Sequence, residues 1–227
     1  AEAGAEPEEA WLYLKANCER SLGRLEAAAD SYADLLARFP SSEVHAAAGY
    51  ERVLVAFSRD RHEEALAYGK ELVPAPGVEE ELLWILAESA EALDRFGEAT
   101  NFYERIVDEF PNQERAPIAL FRRARLTEAQ GAAAPASVQY RRLADRYPDH
   151  ALAPEALYAS GALRSSADQL EEALADWRAI MKRYPAFERG EEVLFQQALA
   201  EIRTGQAKAS MTTLGLLLER WPSSTRS

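Results

Sequence analysis

An aromatic residue followed by proline recurs at Phe39-Pro40, Phe110-Pro111, Tyr147-Pro148, Tyr184-Pro185 and Trp221-Pro222, and the last four prolines are 37 residues apart. A fixed period of this length confines the fold to stacked copies of one supersecondary unit, because no copy can bury its apolar face alone. More than the prolines carries the period. Ten residues after Pro40, Pro74, Pro111, Pro148 and Pro185 stand Tyr50, Trp84, Phe121, Tyr158 and Phe195, and Tyr13 holds the same slot ahead of them. Fifteen residues beyond these come Ala28, Ala65, Ala99, Ala136, Ala173 and Ser210, and four further on Tyr32, Gly69, Tyr103, Tyr140, Trp177 and Leu214. Six copies account for nearly all of the 227 residues.

Each copy reads as two helices. Leu82, Leu83, Leu86, Ala87 and Ala90 fall at i, i+3, i+4 spacing, as do Ala99, Phe102, Tyr103, Ile106 and Val107. Asp94-Arg95-Phe96-Gly97 supplies a stop and a turn between them, and Gly23, Gly131 and Gly205 occupy the corresponding turns elsewhere. Pro117 and Pro154 stand where a first helical turn begins, a position at which a missing N–H costs little. No segment alternates with period two, and alanine, 44 of 227 residues, favours helices that cross closely. The reading is an all-α chain of about twelve antiparallel helices.

These residues resemble the tetratricopeptide repeat (TPR) pattern, W-x2-L-G-x2-Y, then A-x3-F, then P. The fifth copy carries Leu157, Gly161, Ala173, Trp177 and Pro185 in those slots, and the third carries Leu83, Leu86, Ala87, Ala99, Tyr103 and Pro111. The second copy departs from it at Val53 and Gly69, and the sixth at Ser210 and Leu214. The resemblance implies an α-α superhelix, a TPR solenoid of six repeats over residues 9–222 (about 9–42, 43–77, 78–113, 114–150, 151–187 and 188–222), between an acidic segment, 1–8, and a tail, 223–227. The period exceeds the usual TPR length, the extra residues lying after the proline, as in Pro111 to Pro117 and Pro148 to Pro154. Tyr-Pro, a polar loop and then Ala-Leu-Tyr or Ala-Leu-Phe is similar to bacterial cell-envelope TPR proteins of the CpoB/YbgF and BamD type. That similarity implies the periplasm or cell envelope and a role in outer-membrane assembly.

One copy is irregular. Ala65 to Pro74 spans nine residues where the other copies have twelve, and Val73-Pro74-Ala75-Pro76-Gly77 forbids helix continuation. A shortened second helix is expected there, with a change of superhelix curvature between the second and third repeats.

Catalysis finds little support. His62-Glu63-Glu64-Ala65-Leu66 begins like H-E-x-x-H but has Leu where the second metal ligand must stand. His45 and His150 are loop residues, solvated or capping, and no phosphate-binding loop exists. No catalytic residue, metal or cofactor is expected. Cys18, alone in the chain, can form no intrachain disulfide and is expected to be a small core residue. A net charge of -12 argues against nucleic acid as a principal partner, and no window is apolar enough to span a bilayer. The opening AEAGAEPEEA carries no leader pattern, which reads as a mature form already cleaved or a segment of something longer.

A protein or peptide is therefore the expected partner, and the chain is read as a non-enzymatic scaffold. The resemblance places the first helix of each repeat on the concave surface, so Tyr50, Trp84, Phe121, Tyr158 and Phe195, with Arg122 and Arg125 near the middle, are the candidate binding residues. Such a surface suits a segment with apolar side chains and an acidic group. The same rings also suit packing between neighbouring repeats. The carboxylate clamp of chaperone cofactors is not expected: Asn17 fits one slot, but Tyr13, Glu51 and Glu81 stand in others. The helix at 209–221 is very apolar for a terminal one, which points to self-association and to a second reading as a structural subunit of an envelope assembly. At the other end Lys15 and Glu19 suggest a polar cap. A cytosolic regulatory role is a third reading.

Overall fold

A computed structural model describes residues 5–72 and 79–223, with side chains from residue 8 onward. Among them are twelve helices and no strand: α1 (Ala5–Ser21), α2 (Leu25–Arg38), α3 (His45–Ser58), α4 (His62–Leu72), α5 (Glu80–Ala92), α6 (Phe96–Glu109), α7 (Arg115–Ala129), α8 (Ala133–Arg146), α9 (Ala153–Ser166), α10 (Leu170–Arg183), α11 (Gly190–Arg203) and α12 (Ala207–Arg220). They form two compact units, Ala1–Phe110 and Pro111–Ser227, with six helices in each. Helix α4 is described as far as Leu72, 11 residues against the 14 of α6. The Val73 to Gly77 stretch lies outside the described residues.

Every helix pair turns by the same device. One residue per repeat takes a left-handed conformation, Gly23 (φ 71°), Asp60 (55°), Asp94 (56°), Gly131 (79°), Asp168 (63°) and Gly205 (75°). The next residue's N–H then reaches back to a carbonyl of the first helix, as from Arg24 to Glu19 and Arg61 to Ala56, both at 2.9 Å, or from Gln206 to Glu201 at 2.7 Å. These six-to-one bonds are Schellman closures, which satisfy carbonyls that a helix end otherwise leaves open. Glycine had marked three of the six turns; aspartate, which also tolerates this conformation, supplies the rest.

In four of the repeats the core pairs a small residue on the first helix with a large one on the second. Ala16, Ala87, Ala124 and Gly161 are buried, and so are Tyr32, Tyr103, Tyr140 and Trp177. The smallest residue meets the largest ring: a Cβ on Gly161 would stand 2.5 Å from Nε1 of Trp177. In the second repeat, where Gly69 replaces the ring, Leu86 of the next repeat fills the space, 2.3 Å from a Cβ placed there. The Tyr-Pro pairs have a reason of their own. Tyr147 donates its hydroxyl to the carbonyl of Pro111 at 3.0 Å, and Tyr184 donates to that of Pro148 at 2.6 Å, so each tyrosine holds the proline one period earlier.

Exposed ion pairs also join successive repeats: Arg59 to Glu26, Arg95 to Glu63 (2.6 Å), Arg189 to Glu155 (2.8 Å) and Arg203 to Asp168 (2.7 Å). Pairs this exposed contribute roughly 0–1 kcal/mol each, so they fix register more than they stabilise.

Two expectations fail at the N-terminal helix. Cys18 is exposed rather than a core residue. The core-facing stripe of α1 runs through Leu12 and Ala16, and two residues past Ala16 the helix has turned about 200°. Nor is the outer face of α1 a polar cap: Trp11 is 60% exposed, and Leu14 on the same helix is exposed too.

Candidate functional site

Each first-helix aromatic is half-buried, as a residue must be to serve both packing and contact. Three lie edge-on to the ring of the following helix: Tyr13 to Tyr32 (centroids 6.4 Å apart), Trp84 to Tyr103 (5.6 Å) and Phe121 to Tyr140 (5.4 Å). Contacts of this geometry contribute about 0.5–1.5 kcal/mol beyond the area they bury. Tyr50 of α3 donates its hydroxyl to Glu81 of α5 at 2.6 Å, and burial followed by that hydrogen bond raises the phenol well above its ordinary range.

In the second unit the slot opens into a groove of about 870 Å³. Phe121, Arg125, Glu128 and Ala129 come from α7, Tyr140 from α8, Glu155, Tyr158, Ala159 and Ala162 from α9, and Leu152 and Arg189 from the residues that precede α9 and α11. The helical period puts Phe121 and Arg125 one turn apart on one face of α7, and Tyr158 and Ala162 likewise on α9. An alanine at 159 and another at 162 leave the floor open between the rings.

The charges in the groove are unequal in freedom. The Arg189 guanidinium lies 3.6 Å above the centroid of the Tyr158 ring, and it donates to Glu155 at 2.8 Å and to Glu192 at 3.1 Å. Burial, then a hydrogen bond to Glu192, raises the Tyr158 phenol to about 12. Glu128 accepts the Tyr140 hydroxyl at 2.8 Å, and burial first and this bond second push that phenol upward. Arg125 is exposed on the groove rim, with no hydrogen bond or ion pair among the described residues. The groove therefore offers the half-buried rings of Phe121 and Tyr158 over the buried ring of Tyr140, and one uncommitted cation.

Of the seven candidates read from the sequence, Phe121, Arg125 and Tyr158 are brought together on this groove. Arg122 and Phe195 belong to the same unit but do not line it, and Tyr50 and Trp84 belong to the first unit. Sequence reasoning missed Tyr140, Glu155 and Arg189. Tyr140 had been placed in the second-helix slot, and nothing in its spacing signals that it also reaches the groove. Arg189 precedes a helix, in a loop that no period describes. His150 proves a capping residue, its Nδ1 accepting the N–H of Leu152 at 3.2 Å.

Solved structures of TPR proteins share this fold. One, from Parabacteroides merdae ATCC 43184, superposes with a TM-score of 0.58 at 15% identity, covering 93% of this chain and 79% of that one. YrrB, a TPR protein with an unusual peptide-binding site, gives 0.54 at 21% identity over 78% of this chain and 86% of its own. MamA gives 0.58 at 15% over 78% and 92%. No curated protein matches the sequence significantly. Residues 11–42, 81–112, 118–150 and 192–224, together more than half of the chain, match the tetratricopeptide repeat model, and the chain belongs to that family.

Proposed function

We propose that the chain is a non-enzymatic adaptor whose second unit holds an extended segment of a partner protein in the groove of Phe121, Tyr140 and Tyr158. The observation that carries the reading is the uncommitted Arg125 beside three half-buried or buried rings in an otherwise acidic chain. Arginine over a desolvated aromatic floor recognises a carboxylate through paired N–H donors, while the rings receive apolar side chains. A ligand segment with one acidic residue flanked by apolar ones matches it. Binding of a peptide is also what the description of YrrB states for that protein, which shares the fold.

The bacterial cell envelope is the proposed setting, with proteins of the CpoB/YbgF and BamD type as the sequence likeness behind it. The Tyr-Pro loops and the Ala-Leu-Tyr segments that follow them support this. Arg122, Phe195, Tyr50 and Trp84 extend the proposed contact surface beyond the groove.

The test is capture of partners from native envelope extract on immobilised protein, followed by affinity measurement with the captured segment. Arg125→Ala is expected to lower affinity at least tenfold with no loss of helicity, because the side chain supports nothing in the fold. Equal affinity of Arg125→Ala and the native chain would overturn the reading.

A further inference from the structure

Four slots of the repeat, one on a second helix, two on the first helix that follows and one on its partner, recur five times among the described helices. On α8, α9 and α10 they hold Arg141, Ser160, Arg164 and Asp176; on α10, α11 and α12 they hold Arg178, Gln197, Glu201 and Thr213. Each of these sets closes around one buried carboxylate. Arg141, Ser160 and Arg164 donate to Asp176, and Arg178, Gln197 and Thr213 donate to Glu201. On α6, α7 and α8, Thr127 donates to Gln139 at 3.2 Å, and Glu104 and Arg123 both have partners. On α4, α5 and α6 the slots hold Leu86, Ala90 and Phe102 with Lys70, which pairs with Glu98.

The set on α2, α3 and α4 is Ala33, Arg52, Ala56 and Tyr68, an arginine with no carboxylate. The Arg52 guanidinium lies 3.6 Å from the centroid of the Tyr68 ring, and among the described residues it has no hydrogen-bond or ion-pair acceptor. Arg189 lies over Tyr158 at the same distance, but there Glu155 and Glu192 hold it. With alanine in two of the slots, a cavity of about 230 Å³ opens beside Arg52, lined by Ala33, Ala56 and Tyr68. At ~30 Å³ per water it has room for roughly seven waters, or for one small organic molecule.

The rest of the lining carries both signs. Arg59 is paired with Glu26, whereas the side chains of Arg61, Asp30 and Glu64 have no hydrogen-bond or ion-pair partner among the described residues. Two guanidinium groups and two carboxylates thus face one cavity without pairing. A simple anion would meet Arg52 and Arg61 but also both acids. A ligand with a carboxylate and an ammonium on neighbouring atoms answers both signs at once, and a charge is buried cheaply only when it is paired.

We infer that this cavity of the first unit binds a free α-amino acid. The ligand's carboxylate stands for the one that Asp176 and Glu201 supply in the other sets and accepts paired N–H donors from Arg52. Its ammonium turns to Asp30 and Glu64, and a short apolar side chain lies on Ala33 and Ala56. The site shares no residue with the groove of Phe121 and Arg125, so its failure would leave the proposed partner binding untouched.

Isothermal titration calorimetry on the full chain tests this with L-alanine and L-leucine, and with propionate and ethylamine, which are L-alanine without its ammonium and without its carboxylate. One molecule per chain is expected, with L-alanine or L-leucine bound at least tenfold more tightly than either half. Arg52→Gln should weaken that binding at least tenfold, and Arg52→Lys nearly as much, because lysine keeps the charge but not the paired donors. Ala56→Glu places a carboxylate in the slot of Glu201 and should abolish binding while circular dichroism keeps its native helical signal. Absence of saturable amino-acid binding up to tens of millimolar overturns the inference. So does propionate bound as tightly as L-alanine, which would mean a plain anion site, and so does native affinity in Arg52→Gln or Ala56→Glu.

Discussion

Asp176 of α10 has no exposed surface, yet it is held by three donors. Ser160 Oγ at 2.7 Å and Arg164 Nη1 at 2.9 Å share one carboxylate oxygen, and Arg141 Nη1 reaches the other at 2.7 Å. Asp176→Ala would leave the hydroxyl of Ser160 buried without a partner, at about 1–3 kcal/mol. It would also strand Arg164, whose side chain is 16% exposed, in a site that water reaches poorly. Removing one member of a buried ion pair costs about 3–5 kcal/mol, a figure that already contains most of the hydroxyl's share. Arg141 adds little, because it keeps its 2.9 Å bond to Asp145 on the same helix. The expected loss is therefore about 3–4 kcal/mol.

The same arithmetic makes the opposite prediction for replacing the whole cluster. Asp176→Leu with Ser160→Ala and Arg164→Met removes the charges together with their desolvation cost, and should fall within about 1 kcal/mol of the native chain. Repeat arrays open locally, so urea midpoints should be read alongside hydrogen exchange in α9 and α10, which reports the free energy of opening there. A loss below about 1 kcal/mol for Asp176→Ala, or a triple variant less stable than the single one, would refute the assignment of the energy to an uncompensated buried charge.

Two further outcomes follow from neighbouring sites. Gly161→Ala should gain about 1 kcal/mol of helix propensity but lose more to the Trp177 ring, for a net loss of about 1–2 kcal/mol in thermal or urea unfolding; adding Trp177→Tyr, which recreates the Ala124 and Tyr140 pairing of the fourth repeat, should restore most of it. Glu201, 1% exposed, is opposed in its ionisation by burial, but hydrogen bonds from Arg178, Gln197 and Thr213 outweigh this and hold its carboxyl below the ordinary value of 4.5. The unfolded chain therefore takes up that proton first as pH falls. The stabilisation is whole above about pH 4.5 and is lost as pH drops through the folded value, and Glu201→Gln should flatten that part of the acid limb in urea midpoints measured across it.

The periodic residues made the fold legible. Six aromatic slots and five aromatic-proline pairs suffice to place twelve helices, because a solenoid is the sum of one local unit and one neighbour contact. Residues that depart from the period were harder to read. The shared role of Gly23, Asp60 and Asp168 shows only in their φ values, since aspartate has many other uses. The polar clusters of Asp176 and Glu201 invert between repeats: the acid stands on the second helix in one and on the first in the other, and an arginine one period apart, Arg141 or Arg178, serves each. No sequence pattern with a fixed charge in a fixed slot would find both. Cys18 was misplaced for a related reason. Its slot is buried in α3, α5 and α11, half-buried at Leu163 in α9 and exposed in α1, so burial of the slot does not follow from the period alone.

The rival readings of the first-helix rings, partner contact and internal packing, turn out not to exclude each other. Phe121 lies edge-on to Tyr140 and also lines the groove; Tyr158 lies under Arg189 and lines it too. A ring held on one side by a neighbour loses little conformational freedom when a ligand covers the other, so packing is what prepares it for contact. Truncating either ring must then weaken folding and binding together, and such a variant cannot separate the two roles. Arg125 can, because among the described residues it lines the groove without any bond that the fold requires. Arg189 should behave as the rings do: its removal takes the cation from Glu155 and uncovers Tyr158, so the groove would gain negative charge just where the ligand's own is expected.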